Sequence, residues 1–473
     1  MLSVNNRKTE KFLFGFLLFT LFWLPIPLGA NRPWAWALMQ VSVFAISALL
    51  VVFHFRSVTL AVRQYRYFLL LWFLFLAWQL LNLVPLPASL IGTLRPEKLL
   101  PEFVSLPNGI SRIASPKWLA LSFDVGQSQI VFMKSLCYCL LFFSVLAMVR
   151  STSRLKLVLI AISASGIFQA IYGSLEVLSG MEYSLVFQQP VTHIATGSFI
   201  YKNHFANYLL LTLSAALGYL IASLGEDDGM SKRERMRRWL KFWLGNKVLF
   251  RIGIIIMVIA LVMSRSRMGN TAFFVSMTVT AALGLWYFKP RQKSYIALFV
   301  SMLVIDIMIV SSVFGLNEVK QRLEQTDLAQ ESRDEVITDA LPLLADHPLI
   351  GTGGGTFYTV YPQFQSDSIQ HFYDHAHNEY LQFSIEFGLV GSLFMGIFVL
   401  LCGINAFKAF KERRHPLPRG AAFACFMAII GMAMHISVDF PLQAPANTAI
   451  FITLLALGVM SNRIRVRKPA IHS

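Results

Sequence analysis

Long apolar stretches alternate with short polar ones from one end of the chain to the other. Twelve stretches stand out: 12–30, 34–54, 67–84, 128–149, 155–178, 203–223, 250–264, 269–288, 294–315, 379–406, 420–438 and 443–460. A bilayer core about 30 Å thick needs about 20 apolar residues in a spanning helix. The stretch 250–264 is short by that measure; the others come close to it or exceed it. The pattern predicts an all-α, polytopic membrane protein of about 12 transmembrane helices. The first stretch leads into Asn31-Arg32-Pro33 and not into a small-residue cleavage site, so it reads as a retained helix. The expected organisation is three-part: 1–315 with helices one to nine and short loops, 316–378 as one large loop, and 379–473 with the last three helices and a tail.

Composition agrees with the pattern. The chain is 56% hydrophobic and 14% charged, with a mean hydropathy of +0.59, which excludes an ordinary soluble monomer. A net charge of +16 would suggest nucleic acid in a soluble protein. Its distribution says otherwise. With both termini placed in the cytoplasm, roughly 29 of the 41 Lys and Arg fall on the cytoplasmic side, the positive-inside asymmetry. The basic residues therefore set topology and face membrane lipids, and no nucleic-acid partner is expected. Cys137, Cys139, Cys402 and Cys425 all fall in or near apolar helices, with no disulfide framework or zinc spacing.

Histidines show the opposite bias. His193, His204, His347, His371, His375, His377 and His435 lie outside or near the outer ends of helices. Three outer loops are long: about 85–127, 179–202 and 316–378. Function is therefore expected on the non-cytoplasmic face. In the largest loop, Ser332 and Glu335 form an S-x-x-E capping pattern, and Ile337, Ala340 and Leu344 follow at helical spacing. Arg333 lies on the same stripe, either as a snorkelling cation or as an anion ligand. The run Pro348-Leu-Ile-Gly351-Thr-Gly353-Gly354-Gly355 lacks the Lys-Ser/Thr ending of a P-loop and reads as a tight turn.

Candidate chemistry gathers on that same face. Arg265 and Arg267 occupy Met263-Ser-Arg-Ser-Arg-Met-Gly269, a short outer turn that breaks the positive-inside pattern. Two guanidinium forks there suit a phosphate. Lys202 opens a helix whose N-terminus already favours anions, or else anchors it at the interface; His204 follows. His377 is the base candidate, because an imidazole can be neutral at working pH and accept a proton. Asn378 would orient it or a substrate. A structural histidine, or a metal site of Asp374, His375, His377 and Glu379, are the competing readings; residues two apart diverge on a helix, which weakens the metal reading unless the segment is extended. Asp439 sits near the outer end of the eleventh stretch, to pair with an Arg or to orient a catalytic group. Asp306 and Glu386 are given only helix–helix pairing, and His375 no role of its own. Glu226-Asp227-Asp228 looks metal-like but falls in a cytoplasmic loop. Several cations, one neutral base and few committed metal ligands suit group transfer from a lipid-linked phosphate donor without a metal or other cofactor. A transporter of lipid-linked sugar would need as many helices, but no internal repeat is visible.

These residues resemble the O-antigen ligase family, within the wider group of lipid-linked polysaccharide ligases and polymerases. The resemblance is carried by His377-Asn378 with Gly388-Leu-Val-Gly391, by Ser264-Arg265-Ser266-Arg267, by Gly197-Ser-Phe-Ile-Tyr-Lys202-Asn203-His204, by His435-Ile-Ser-Val-Asp439-Phe, and by Arg333 to Phe357. It implies a GT-C-like, metal-independent inverting glycosyltransferase in a bacterial inner membrane, with the site facing the periplasm. It implies transfer of O-antigen polysaccharide from undecaprenyl pyrophosphate to lipid A–core oligosaccharide. By position, His377 would be the base and Arg265 and Arg333 diphosphate ligands, while Asp439 carries over less directly. An O-antigen polymerase and a protein O-oligosaccharyltransferase share the donor and differ in acceptor.

Overall fold

The computed structural model describes residues 2–95, 98, 103–106, 109–112, 117–191, 193–223, 247–287, 333–369 and 371–464. The expected span 294–315, Asp306, Ser332 of the capping pattern, the Glu226–Asp228 triplet and most of the 232–251 basic cluster lie outside these residues. The described chain is helical: α1 (Leu2–Trp23), α2 (Pro33–Gln64), α3 (Arg66–Leu83), α4 (Ala88–Leu94), α5 (Val125–Met148), α6 (Thr152–Ser179), α7 (Lys202–Ser223), α8 (Lys247–Met263), α9 (Arg267–Tyr287), α10 (Arg333–Asp346), α11 (Phe357–Val360), α12 (Glu379–Glu412), α13 (Pro416–His435) and α14 (Pro445–Ser461). Eight of them (α2, α3, α5, α6, α7, α9, α12 and α13) are long and apolar enough to cross a bilayer; α8 and α14 are shorter apolar helices. This is an all-α, multi-pass membrane protein. Two small antiparallel pairs interrupt the helices: Leu86–Pro87 with Trp118–Leu119, and Phe103–Leu106 with Gly109–Arg112. The chain forms two units, one of 1–64, 138–327 and 399–473, the other of 65–137 and 328–398.

The first unit is built around α7. About nine-tenths of its span is buried, because its apolar residues run round the whole helix and not along one stripe. It packs against α6, α8, α9, α13 and α14. Gly218 and Gly420 let the α7 and α13 backbones touch; a Cβ on either would run into the other's carbonyl. Small residues permit such close approach where lipid offers no hydrophobic drive for helices to associate. Buried hydroxyls on α7 turn inward to their own helix: Thr212 donates to the Tyr208 carbonyl at 3.0 Å and Ser214 to that of Leu210 at 2.8 Å.

The second unit holds α3, α4, the first half of α5, α10, α11 and the first part of α12. Its core joins Val336, Ala340 and Leu343 of α10 to Phe357, Tyr361 and Ile385. The buried stripe of α10 is thus centred one position earlier than expected, on Val336, Ala340 and Leu343, with Ile337 and Leu344 as partly buried flanks. Asp124 caps α5 by accepting from the Gln127 N–H at 2.9 Å.

Candidate active site

In the second unit, α12 begins at Glu379 because Asn378 caps it. The Asn378 side-chain oxygen accepts the Leu381 N–H at 3.1 Å, so this amide is spent on the helix end and half of its expected orienting role is already committed. His377 stands just before the cap with φ of 51°, in the left-handed region that histidine enters more readily than most residues. Its ring is half-buried and meets Tyr373 edge-on, with centroids 5.8 Å apart. Burial first, then the positive charge of Arg333 and the neighbouring His375, push its pKa down to about 4 against the pull of Asp374. His377 is therefore neutral at working pH.

Arg333 is the first residue of α10 and is half-buried. A cation at a helix N-terminus opposes the helix dipole, so the helix gains nothing from it there; Asp334 and Glu335 in the same turn are the stabilising choice. The shared core of α10 and α12 brings Arg333 near enough for its charge to act on His377. His375 and His377 lie in a non-helical segment, so divergence around a helix does not separate them. Even so, among the described residues no set of three or more His, Cys, Asp or Glu is placed to hold a metal ion.

Below this loop, polar side chains run along α12 into the glycine turn. Gln382 accepts the Ala376 N–H at 3.2 Å and offers its amide NH2 to His375 Nδ1 at 3.1 Å and to Glu386 Oε1 at 3.0 Å. Glu386, 2% exposed, also accepts the Gly355 N–H at 2.8 Å. These partners belong to its own helix and to a turn, which replaces the expected helix–helix pairing. Two residues on, α12 breaks at Gly388, with φ of 66° and ψ of 175°. Three carbonyls at the break are taken from outside the helix: Ile385 by Thr352 N–H (2.8 Å), Glu386 by Gly353 N–H (2.9 Å) and Phe387 by the Trp78 indole (2.8 Å). Gly351 and Gly353 have positive φ, and a Cβ on Gly351 would strike the α12 backbone, so the glycines serve close packing and not phosphate binding.

The remaining candidates belong to the first unit. Arg265 and Arg267 are both exposed, while Ser264 and Ser266, which alternate with them, are buried and tie the turn. Ser266 Oγ accepts the Gly269 N–H at 3.2 Å and caps α9. Arg265 has φ of 50°, so its backbone makes the turn as its side chain reaches out. Gly269 packs on Ala206, which sets this turn beside the first turn of α7, where Lys202 is half-buried. Next to Lys202, Asn203 donates to the Tyr201 hydroxyl at 2.8 Å and to Asp439 Oδ2. Asp439 is 2% exposed and accepts the Phe440 N–H at 2.8 Å. His204 Nε2 lies 3.2 Å from the Phe440 carbonyl, which makes that nitrogen the donor. Tyr201 stacks flat on Phe440 at 5.4 Å. So Lys202, His204, Asp439 and the arginine turn share one end of the first unit, and Arg333, His377 and Asn378 share one loop cluster of the second. Tyr201, Asn203 and Gln382 were missed in the sequence; the available signal was a polar residue inside or abutting an apolar run.

Residues 252–396 match the family described as O-Antigen ligase. The matched stretch includes Arg265, Arg267, Arg333, the glycine turn, His377, Asn378 and Gly388; Lys202, His204 and Asp439 fall outside it. No curated protein matches the chain.

Proposed function

We propose that this chain, whose residues 252–396 belong to the O-antigen ligase family of glycosyltransferase-like enzymes, moves a polysaccharide from undecaprenyl pyrophosphate to a hydroxyl of lipid A–core oligosaccharide. The observation that carries the reading is a neutral, half-buried histidine held under the charge of an arginine. His377 takes the proton of the acceptor hydroxyl as its oxygen attacks the anomeric carbon. The bond from that carbon to the donor phosphate breaks, the configuration inverts, and the lipid diphosphate leaves with the electron pair. Arg333 carries the charge that develops on the diphosphate. A bound diphosphate also offsets the Arg333 charge at His377, so the base strengthens when the donor is in place. Arg265, with Arg267 and Lys202 beside it, is assigned to phosphate binding on the strength of exposed guanidinium groups next to a helix N-terminus. Asp439 and His204 support that helix end.

The charge asymmetry of the loops supports an inner-membrane protein with both termini cytoplasmic and the reaction on the periplasmic side. No metal or cofactor takes part in this scheme. The test is transfer by the purified protein in lipid nanodiscs, given lipid-linked glycan with lipid A–core, with a second lipid-linked glycan, or with a pilin-like protein. Glycan on lipid A–core supports the ligase. Chain growth on the carrier alone makes it a polymerase, and glycan only on protein an O-oligosaccharyltransferase. Full activity in excess chelator is expected.

A further inference from the structure

Gln382 is a buried amide with every polar atom engaged, in the first turn of α12 between Leu381 and Phe383. Its orientation is fixed by chemistry. The Ala376 N–H can only donate, so it must face the amide oxygen, which leaves the NH2 toward His375 and Glu386. His375 Nδ1 then has to accept, and the ring proton sits on Nε2, 3.9 Å from Asp374 Oδ2. Glu386 receives an N–H on each oxygen, from Gln382 and from Gly355, and so ties this amide to the rigid glycine turn. The two residues that Gln382 grips, His375 and Ala376, immediately precede His377, whose left-handed backbone needs outside support.

We propose that Gln382 is the positioning residue for His377: its amide fork, braced by Glu386, holds segment 374–377 in the conformation that presents the base. The role of the base rests on the function proposed above; the fork does not. Two consequences separate the two claims. The tautomer of His375 depends on Gln382 whatever reaction is catalysed. The transfer rate depends on it only if His377 is the base.

The groups facing this fork are Asp374, His375 and Glu386, with Lys134 of α5 acting on His375 and Arg333 on His377. Gln382→Glu puts a second carboxyl against Glu386. The pair accommodates one proton at low pH and repels when both ionise. Its activity is expected to fall as pH rises, on the limb opposite to that on which protonation of His377 acts.

The experiment compares wild type, Gln382→Leu and Gln382→Glu in nanodiscs, by transfer kinetics and by nitrogen NMR of labelled histidines. Gln382→Leu is expected to lower kcat by about 10- to 100-fold with donor KM unchanged, as for a base displaced by about an ångström. It should also release His375 from its single tautomer. Gln382→Glu, which retains the size of the side chain, covers the case in which the leucine variant fails to fold, and should regain rate on acidification. A His375 tautomer indifferent to both variants overturns the proposal outright. So does a wild-type kcat in a folded Gln382→Leu protein. If the tautomer responds but wild type transfers no glycan in any assay, the fork stands as a clamp on this segment, and both the proposed function and the assignment of His377 as its base are overturned.

Discussion

The two units handle their buried polar groups in different ways. In the first, Asp439, Asn203 and Tyr201 are joined across the ends of α7 and α13 by hydrogen bonds between neutral groups and one carboxylate, and His204 is tied beside them to the Phe440 carbonyl. Each group caps or braces a helix end, and the arginines nearby are exposed on a turn whose serines are buried. In the second, the polar chain runs from a glycine turn along one helix face to His375 and the Ala376 N–H, just before His377, whose pKa is lowered to about 4 by burial and the charge of Arg333. One arrangement fixes a frame. The other clamps the segment that leads into His377. A polar cluster in an apolar protein therefore has to be judged by what its last member can still do.

Four experiments sharpen that contrast, beginning with the largest effect. His377→Ala should cut glycan transfer by roughly 10²- to 10⁴-fold, the usual span for loss of a general base. Single-turnover kinetics with saturating donor isolates the chemical step, and a wild-type rate there sinks the base assignment. Arg265→Gly comes second. The residue already has φ of 50°, so glycine keeps the turn and removes only the guanidinium. Donor KM should rise about 10- to 100-fold, the scale of a charge-assisted contact, at unchanged thermal stability. An unaltered KM would return the first unit to a purely structural role.

Gly388→Ala is third. A side chain at φ of 66° and against the Leu349 carbonyl should cost about 1–3 kcal/mol or more, read as a lower unfolding temperature in detergent. An unchanged temperature would mean that the break in α12 is unimportant to the second unit. The smallest effect is expected for Arg333→Gln on the pH profile. Removing the charge lets the His377 pKa rise from about 4 toward its usual value. A base must be unprotonated, so the acid limb of kcat/KM should move to higher pH. An acid limb that stays in place, with chemistry limiting, would deny the coupling of these two residues. The same linkage affects stability: His377 takes a proton more readily unfolded than folded, so its contribution is present above the ordinary histidine pKa and is lost as pH falls through about 4.

Much of this was visible in the sequence, for reasons of length and cost. Eleven of the twelve expected spans fall on described helices, because about 20 apolar residues leave few alternatives, but α1 begins and ends well before the expected 12–30 and α2 runs ten residues past the expected 34–54; the twelfth lies outside the described residues. His377 and Arg333 drew attention as costly groups beside apolar helices, and the fold puts the charge of one on the other. The break in α12 was not legible. Glu386-Phe387-Gly388-Leu389 reads as continuous helix, and the groups that make a break possible come from Trp78 and from 348–353. The role of Gln382 is not legible either, because a lone amide between Leu381 and Phe383 shows its partners only in three dimensions. The two-residue strand pair at Leu86 and Leu119 is too short to have a sequence period at all.

The indole of Trp78 closes the Phe387 carbonyl across 309 residues of chain. During synthesis, Trp78 enters the membrane long before the helix it will complete has been translated. Lipid cannot supply the missing donor, because hydrocarbon has none. The break in the late helix is thus completed only where an early one already stands, and until then the Phe387 carbonyl lacks this donor. Biogenesis of this protein thus has a built-in order, and a fragment beginning after Gln79 would lack the donor that closes the Phe387 carbonyl at the kink of α12.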